Sequence, residues 1–578
     1  MTVDTDLRLL DSHAGLLREV LGEELGGLEP GVWEKLLPSI RWKELAAGEI
    51  LFHEGEVADA MYVVVSGRLR ATREDDGEHR TVGDISRGET VGEMALLTGD
   101  VRSATVHALR DCVLAGLDRP TFNELSRACP QSVIHVAKVQ FDRVQRANRP
   151  RSLEKQRLTI AVLAADASCD AGTFAAKLEE EIRRRGHPVV LADSRQAPSP
   201  ASANDRRRAL AIWLNEKEAS TTHLVMAGHG SDETWNRQIL RSADAVLLLA
   251  RPGHVPALPP GLLPDNLRRI LLVLHPDGST PPRGTAPAAD ASQASSRFHL
   301  RENSGEDWAR LGRWLTGRAV GIALAGGGAR SFAHLGVIRA LREHGIPLDT
   351  AAGTSLGAIV ASGISLDLPL DDLMNRFRIM VKTNPTKNDY RLIPRNSLLS
   401  GRKLDRLLPH LLPDIDIEDC WKGFACVSAN ITNPGENIHR SGSMIKALRA
   451  TVSIPGVFPP ARAGNGDLLV DGGVVNNLPA DILQEAGAGR IIACDQGGSG
   501  RGKDSAPDNP NAIGIIMRSV ILHSRISGRY WRNAADLYIE APVSDIGLLE
   551  WDRFDLAIQR GYNEARRQLE KVDPAAWQ

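Results

Sequence analysis

Val320-Gly321-Ile322-Ala323-Leu324-Ala325-Gly326-Gly327-Gly328-Ala329-Arg330 is answered 27 residues after Gly326 by Gly353-Thr354-Ser355-Leu356-Gly357. The run 320–325 is too short for a helix and apolar enough for an inner parallel strand. After it the period changes. Phe332, Leu335, Ile338 and Leu341 recur at three-residue steps, which predicts a helix face, and Gly345 and Pro347 stop it. A glycine-rich loop between strand and helix can aim bare backbone N–H groups at an anion. Arg330 adds a fixed positive charge beside them. A dinucleotide turn has the same outline, with Asp349 near the place of a ribose-binding acid. Its G-x-G-x-x-G fingerprint fails, because position 331 is Ser331.

The second turn fits G-x-S-x-G, where glycines on either side of a serine relieve a sharp strand-to-helix turn and expose its oxygen. Glycine makes up 53 of 578 residues, so alone the pattern reads as a small-residue crossing of helix and sheet. Directly after the Gly-rich turn it reads as a nucleophile. A serine nucleophile needs a base. The only histidine after residue 471 is His523, in a helical-looking stretch without a turn signal, and it reads as a surface or packing residue. Asp471 is better placed: Leu468-Leu469-Val470 predicts a short strand, and Asp471-Gly472-Gly473 the turn at its carboxyl end. In parallel sheets that end carries the chemistry.

The combination G-G-G-x-R, G-T-S-x-G and D-G-G resembles the patatin-like phospholipase family. Ser453-Ile454-Pro455-Gly456-Val457-Phe458-Pro459-Pro460 and Asn476-Asn477-Leu478-Pro479-Ala480-Asp481 extend the resemblance across 318–500, with the domain set at 315–578. The resemblance implies Ser355 as nucleophile and Asp471 as base of a two-residue dyad. It also implies an oxyanion hole from Gly327, Gly328 and Ala329 with Arg330 beside it, and neither cofactor nor metal in catalysis. A carboxylate is a weak base, near pKa 4 in model peptides, but a dry site raises it.

Residues 40–150 form a different unit. Short strands at 50–52, 61–65 and 69–72, punctuated by Gly55, Gly67, Gly83 and Gly88, predict a small β-roll. Gly92-Glu93-Met94-Ala95-Leu96-Leu97-Thr98-Gly99-Asp100-Val101-Arg102-Ser103-Ala104-Thr105 then places an acid at a helix start and a base nine positions on. That arrangement suits a cyclic phosphate on the helix N–H groups and Arg102, with Glu93 on the ribose. The stretch resembles the phosphate-binding cassette of cyclic-nucleotide-binding domains, which implies contacts from Gly92, Glu93, Arg102 and Ser103. Val91 stands where the family often has an aromatic residue, and the helix over 133–146 lacks a Thr-Ser pair that some members use to read adenine. Both cAMP and cGMP stay open as regulators.

A gene regulator would continue with a helix-turn-helix. Here residues 151–300 alternate strands (Leu158–Ala164, 189–192, His223–Ala227, Ala245–Ala250, 270–274) with helices over 173–185 and 205–216, which predicts a parallel sheet. No G-x-x-x-x-G-K follows the first strand, so nucleotide hydrolysis is not expected. His223 and His229 read as packed or solvated rather than as metal ligands. The stretch 276–297, rich in Pro, Ala, Ser and Gly, reads as a linker. Residues 1–39 read as a helical segment, with Leu9, Leu10, Leu16, Leu17 and Val20, that packs on the roll or pairs two subunits in a homodimer.

The chain is 42% hydrophobic and 25% charged with a net charge of −2, an ordinary globular composition without a general polyanion-binding field. Nucleic acid is not an expected partner. Cys112, Cys129, Cys169, Cys420, Cys426 and Cys494 are scattered with no C-x-x-C, which suits a reducing cytoplasm. Met1-Thr2-Val3-Asp4-Thr5-Asp6 lacks a signal-peptide plan, and no run approaches the roughly 18 apolar residues of a membrane span. A lipid substrate would be met at the membrane surface from outside.

The order of modules resembles the neuropathy target esterase group of patatin-like proteins over nearly the whole chain, which implies a lysophospholipase or phospholipase. Three readings stand: a serine–aspartate lipid esterase answering to a cyclic nucleotide, the same esterase with an empty structural roll, and a nucleotide-sensing scaffold with an inactive hydrolase fold.

Overall fold

The computed structural model describes residues 14–18, 20, 33–34, 36–75, 78–131, 134, 138, 158–198, 203–230, 232–256, 263, 267–276, 281–393, 396–496 and 530–578. His523 and most of the 1–39 and 133–146 segments lie outside them. Contacts divide the chain into two compact units, one of residues 1–149, 155–272 and 288–297, the other of 150–154, 273–287 and 298–578.

In the first unit, antiparallel strands build the roll as two four-stranded sheets. One runs Arg41–Leu45, Cys112–Asp118, Ala60–Ser66, Thr90–Val91; the other runs Ile50–Phe52, Thr105–Ala108, Arg68–Asp75, Glu78–Ser86. Val63, Val65, Ala115 and Leu117 pack on Leu16, Leu17 and Trp33, so the described part of the N-terminal helical segment does sit on the roll. Val189–Asp193, His223–Ala227, Leu158–Ala164 and Ala245–Ala250 lie parallel in that order, and the sheet continues through Arg268–His275 and Ser296–Arg301. Part of the expected linker is ordered differently. Ala286–Ser292 is a helix and Ser296–Arg301 a strand. Four alanines between 286 and 291 carry strong helix propensity, which outweighs the linker reading of a stretch rich in Pro, Ala, Ser and Gly.

Within this unit the turn joining Thr105–Ala108 to Cys112–Asp118 inserts Arg110 among charges of the helical layer beside the parallel strands. Arg110 pairs with Glu218, on the helix Ala203–Ala219, and its Nε lies 3.0 Å from Asp244 Oδ1; Arg68 adds a contact to Asp244 at 3.5 Å. Arg110 Nη1 also donates to the Ser242 carbonyl at 2.7 Å. Burial works against the Arg110 charge, and Asp244 and Glu218 together outweigh it, so its pKa is raised.

In the second unit the sheet runs Ala461–Arg462, Leu468–Asp471, Gly423–Asn430, Thr350–Thr354, Val320–Leu324, Arg490–Asp495, Leu537–Glu540, with Gly435–His439 paired off Gly423–Asn430. From Gly423–Asn430 to Leu537–Glu540 the pairs are parallel. Helices Ala333–Glu343, Leu356–Ser365, Leu370–Thr383 and Phe554–Leu569 pack in one apolar cluster with one sheet face. Leu478, Ala480, Ile482, Leu483 and Trp531 belong to a second cluster with Ala323, Ala352 and Val427. The result is a three-layer α/β/α arrangement.

Candidate active site

Both quoted turns stand at the carboxyl ends of neighbouring central strands, because Val320–Leu324 and Thr350–Thr354 pair in parallel with Leu324 opposite Gly353. Ser355 follows at the start of the helix Leu356–Ser365, every residue of which is buried. Its backbone is strained, at φ 55° and ψ −132°, a conformation costing about 1–3 kcal/mol outside glycine. Two contacts hold it there. The Ser355 N–H donates to Thr451 Oγ1 at 2.9 Å, and the Ala358 N–H returns to the Ser355 carbonyl at 3.0 Å. Close backbone approach explains Gly357 in this turn and Gly326 in the neighbouring one. A Cβ at position 357 would stand 2.6 Å from the Ala325 carbonyl oxygen, and one at 326 would stand 2.9 Å from Ser355 Cβ.

Asp471 arrives differently from the sequence expectation. Its strand runs antiparallel to Gly423–Asn430, with Asp471 opposite Ser428; between the two the chain forms the strand Gly435–His439, the helix Met444–Thr451 and the strand Ala461–Arg462, and this last pairs antiparallel with the strand that ends at Asp471. Thr354 lies opposite Val427 on the other side of that strand. The register therefore brings Asp471 and Ser355 level, two strand spacings or about 10 Å of backbone apart, and the turns aim the side chains at each other. The Ser355 hydroxyl hydrogen-bonds the Asp471 carboxylate, which also accepts the Gly473 N–H at 2.8 Å. The Asp471 N–H donates to the Ser453 carbonyl at 2.9 Å. Burial pushes the Asp471 pKa up to about 6, against the lowering effect of the Ser355 and Gly473 hydrogen bonds.

The four residues expected at the oxyanion hole have different backbone partners. The Ala329 N–H donates to the Leu548 carbonyl at 2.8 Å, and the Arg330 N–H to the Gly327 carbonyl at 3.2 Å. The Arg330 guanidinium donates to the Ile546 and Ser544 carbonyls at 2.6 and 3.0 Å, so this side chain ties the loop to the segment 544–546. No acceptor is found among the described residues for the N–H groups of Gly327 and Gly328.

Three supports were not singled out from sequence. Besides Thr451, Asn477 Nδ2 donates to the Gly326 carbonyl at 3.1 Å, and Gln496 Nε2 donates to the Ala325 carbonyl at 2.6 Å and Ser331 Oγ at 2.7 Å. His334 Nε2 lies 2.9 Å from the Ala325 carbonyl, and burial lowers this histidine to about 4, so it is neutral beneath the loop. The asparagine lay within a recognisable motif. Nothing local marks Thr451 or Gln496, whose roles arise only from packing.

In the roll, Gly92 takes a left-handed φ of 79° and caps the helix Glu93–Thr98, and Glu93 and Arg102 are both buried. The Arg102 guanidinium donates to the Gly92 and Ala60 carbonyls at 2.9 and 2.6 Å, lies 3.5 Å from Asp59, and stacks 4.1 Å from the centre of the Phe52 ring. Desolvation lowers its pKa. The Ser103 carbonyl accepts two bonds from Arg73. His223 and His229 stand at opposite ends of one strand region in the other part of this unit, and burial with the neighbouring His187 lowers His223 to about 4.

A level Ser–Asp pair on an α/β/α sheet, with glycine N–H groups at the adjacent strand end that have no acceptor among the described residues, is the layout of a hydrolase-type site. Residues 322–483 match the model of the patatin-like phospholipase family, and residues 42–129 that of the cyclic nucleotide-binding domain. The chain carries a patatin-like phospholipase domain together with an N-terminal cyclic nucleotide-binding domain. It is 29% identical to patatin-like phospholipase domain-containing protein 7 of Mus musculus over 79% of this chain, and spans 38% of that protein's length. It is equally 29% identical to an uncharacterized NTE family protein of Mycobacterium tuberculosis, covering 98% of this chain and 97% of that one. A solved regulatory domain of Toxoplasma gondii PKA with cAMP is 31% identical over 19% of this chain and 43% of that chain, at a TM-score of 0.18. Among the described residues no helix is long and apolar enough to cross a membrane.

Proposed function

We propose that the protein is a serine esterase that hydrolyses acyl esters of phospholipids or lysophospholipids through a Ser355–Asp471 dyad, under the influence of a cyclic nucleotide bound to the roll. The observation that carries the reading is the buried Asp471 carboxylate, hydrogen-bonded to Ser355 and raised to about 6. A base of that strength is ionised at neutral pH yet far more basic than a solvated carboxylate. Ser355 Oγ attacks the ester carbonyl carbon while its proton passes to Asp471. The Gly327 and Gly328 N–H groups receive the oxyanion, each such donor contributing roughly 3 kcal/mol to lowering the barrier. Protonated Asp471 then gives its proton to the departing alcohol. It next takes one from water, which attacks the acyl-serine, and the proton returns to Ser355 Oγ as the fatty acid leaves.

The cyclic nucleotide-binding domain supports a regulatory ligand, with Gly92, Glu93, Arg102 and Ser103 as its contacts and cAMP or cGMP as its candidates. For Arg102 to meet a phosphate it exchanges bonds already made to Gly92 and Ala60. A ligand shifts a conformational balance only if it binds one arrangement better than the other, and this exchange offers such a difference. The test is hydrolysis of lysophosphatidylcholine and phosphatidylcholine by the full chain, with and without cAMP or cGMP, alongside fluorophosphonate labelling of the parent and Ser355→Ala. No hydrolysis and no labelling of the folded parent would leave the scaffold reading in its place.

A further inference from the structure

The helix Leu370–Thr383 ends at Asn384, and the chain then turns out into an irregular hairpin. Tyr390 and Leu399 form an antiparallel bridge; the Arg391 N–H donates to the Leu398 carbonyl at 2.9 Å and the Ser400 N–H to the Asp389 carbonyl at 2.7 Å. The outer limb is apolar and unprotected. Tyr390 is 73% exposed, Leu392 99% and Ile393 68%. Three large apolar exposures within four residues of one rim are not the scattered kind that surfaces tolerate.

The charge around them is one-sided. Residues 376–406 hold nine Lys or Arg against two Asp, in a chain of net charge −2. Both acids are engaged: Asp389 accepts bonds from Ser400 and Gly401, and Asp405 pairs with Arg449. Lys387 and Arg391 remain exposed beside the apolar rim. Apolar tips flanked by cations match the boundary of an anionic bilayer, where acyl chains lie beneath phosphate charge.

The inner limb explains why the hairpin stands where it does. The Leu398 N–H donates to the Gly456 carbonyl and the Leu399 N–H to the Val457 carbonyl, both at 2.9 Å. That same segment supplies the Ser453 carbonyl that holds the Asp471 N–H. The hairpin is thus built onto the stretch that positions the base. We infer that the 390–393 limb is the surface by which this protein docks on anionic lipid bilayers, with Leu392 and Ile393 entering the acyl boundary and Lys387 and Arg391 meeting headgroup phosphates. The choice of a lipid partner rests on the esterase reading; the placement rests on the hairpin.

The test is co-sedimentation of the full chain with phosphatidylcholine vesicles, with and without phosphatidylglycerol, and gel filtration in parallel. The parent should pellet with the anionic vesicles and be released by salt. The double change Leu392→Asp with Ile393→Asp should weaken partitioning about tenfold or more. Lys387→Glu with Arg391→Glu should remove the preference for phosphatidylglycerol. Both variants should hydrolyse a water-soluble short-chain ester at the parental rate. Parental pelleting by the Leu392/Ile393 variant, or no pelleting by the parent, overturns the inference. So does loss of a parental dimer in that variant with vesicle binding unchanged, which would make the limb a protein contact. Vesicle results as expected with no hydrolysis by any form would uphold the docking surface and overturn the esterase reading.

Discussion

Thr451 grips the nucleophile's own backbone: its hydroxyl accepts the Ser355 N–H at 2.9 Å and donates in turn to the Val427 carbonyl. Because Ser355 sits at positive φ, this bond opposes relaxation of the elbow. Thr451→Val keeps the shape, strands a buried N–H and removes the restraint, a loss of about 1–3 kcal/mol. Turnover should fall roughly tenfold or more, with KM nearly unchanged, while Thr451→Ser stays close to the parent. Steady-state kinetics on a short-chain ester checks this, and an unaltered turnover in Thr451→Val would separate Thr451 from the elbow's geometry.

Removing the nucleophile should stop the chemistry and little else. Ser355→Ala is expected to lose ester hydrolysis and fluorophosphonate labelling while its circular dichroism matches the parent. Labelling that persists would place the nucleophile elsewhere.

Asp471 has a double effect. Its pKa is raised in the folded chain from an ordinary value of 3.8 to about 6. The folded state therefore binds the proton more tightly than the unfolded state does. The stability associated with that proton is fully present below about pH 4 and is lost as pH rises through about 6, leaving a cost of about 3 kcal/mol at neutral pH. Asp471→Asn is expected to abolish hydrolysis and to melt higher than the parent at neutral pH, with the difference shrinking in acid. Melting curves across that range decide it. A lower melting temperature at neutral pH would show that the charge is better solvated than its surroundings imply.

The same shift sets the pH profile. Only the ionised carboxylate can take the serine proton, so kcat/KM should be flat near neutrality and fall tenfold per pH unit below about 6. A descending limb centred near 4 would mean that Asp471 titrates as a solvent-exposed acid.

Arg102 has two jobs if the roll binds a nucleotide. Arg102→Ala should weaken cAMP or cGMP binding by roughly 2–5 kcal/mol, the usual loss for a buried charge-assisted contact. It should also lower the melting temperature, since it empties the bonds to Gly92 and Ala60. Hydrolysis without nucleotide should stay near the parental rate. Calorimetry on the full chain separates the outcomes, and equal affinity in parent and variant would take Arg102 out of the ligand's reach.

Much of the candidate site is legible in the sequence alone. The strand–turn–helix units around Gly326–Gly328 and Ser355 announce themselves through a change of period, from a short apolar run to a three-residue step, and local pattern carries that information. The strands of residues 158–274 were legible for the same reason. Orientation was not. Asp471 ends a strand of four residues, and nothing in four residues says whether the neighbour runs with or against it. The side chain of Arg330 could not be foreseen either, since its partners Ser544 and Ile546 lie over two hundred residues away. The helix Ala286–Ser292 was hidden by its neighbours' composition.

The turn carrying Arg110 bears on where this polypeptide can be cut. Sequence draws a boundary near residue 150, and a fragment ending there looks self-sufficient. Such a fragment would keep Arg110 and Arg68 but forfeit Glu218 and Asp244. Two guanidinium groups shaped for a dry, anionic setting would face water or each other, and leaving one partner of a buried pair behind typically costs about 3–5 kcal/mol. A small domain can lose most of its margin that way. The smallest piece that can be excised with its electrostatics intact therefore extends past Asp244, and dissection at the apparent seam would yield a folding defect easily mistaken for a failure to bind.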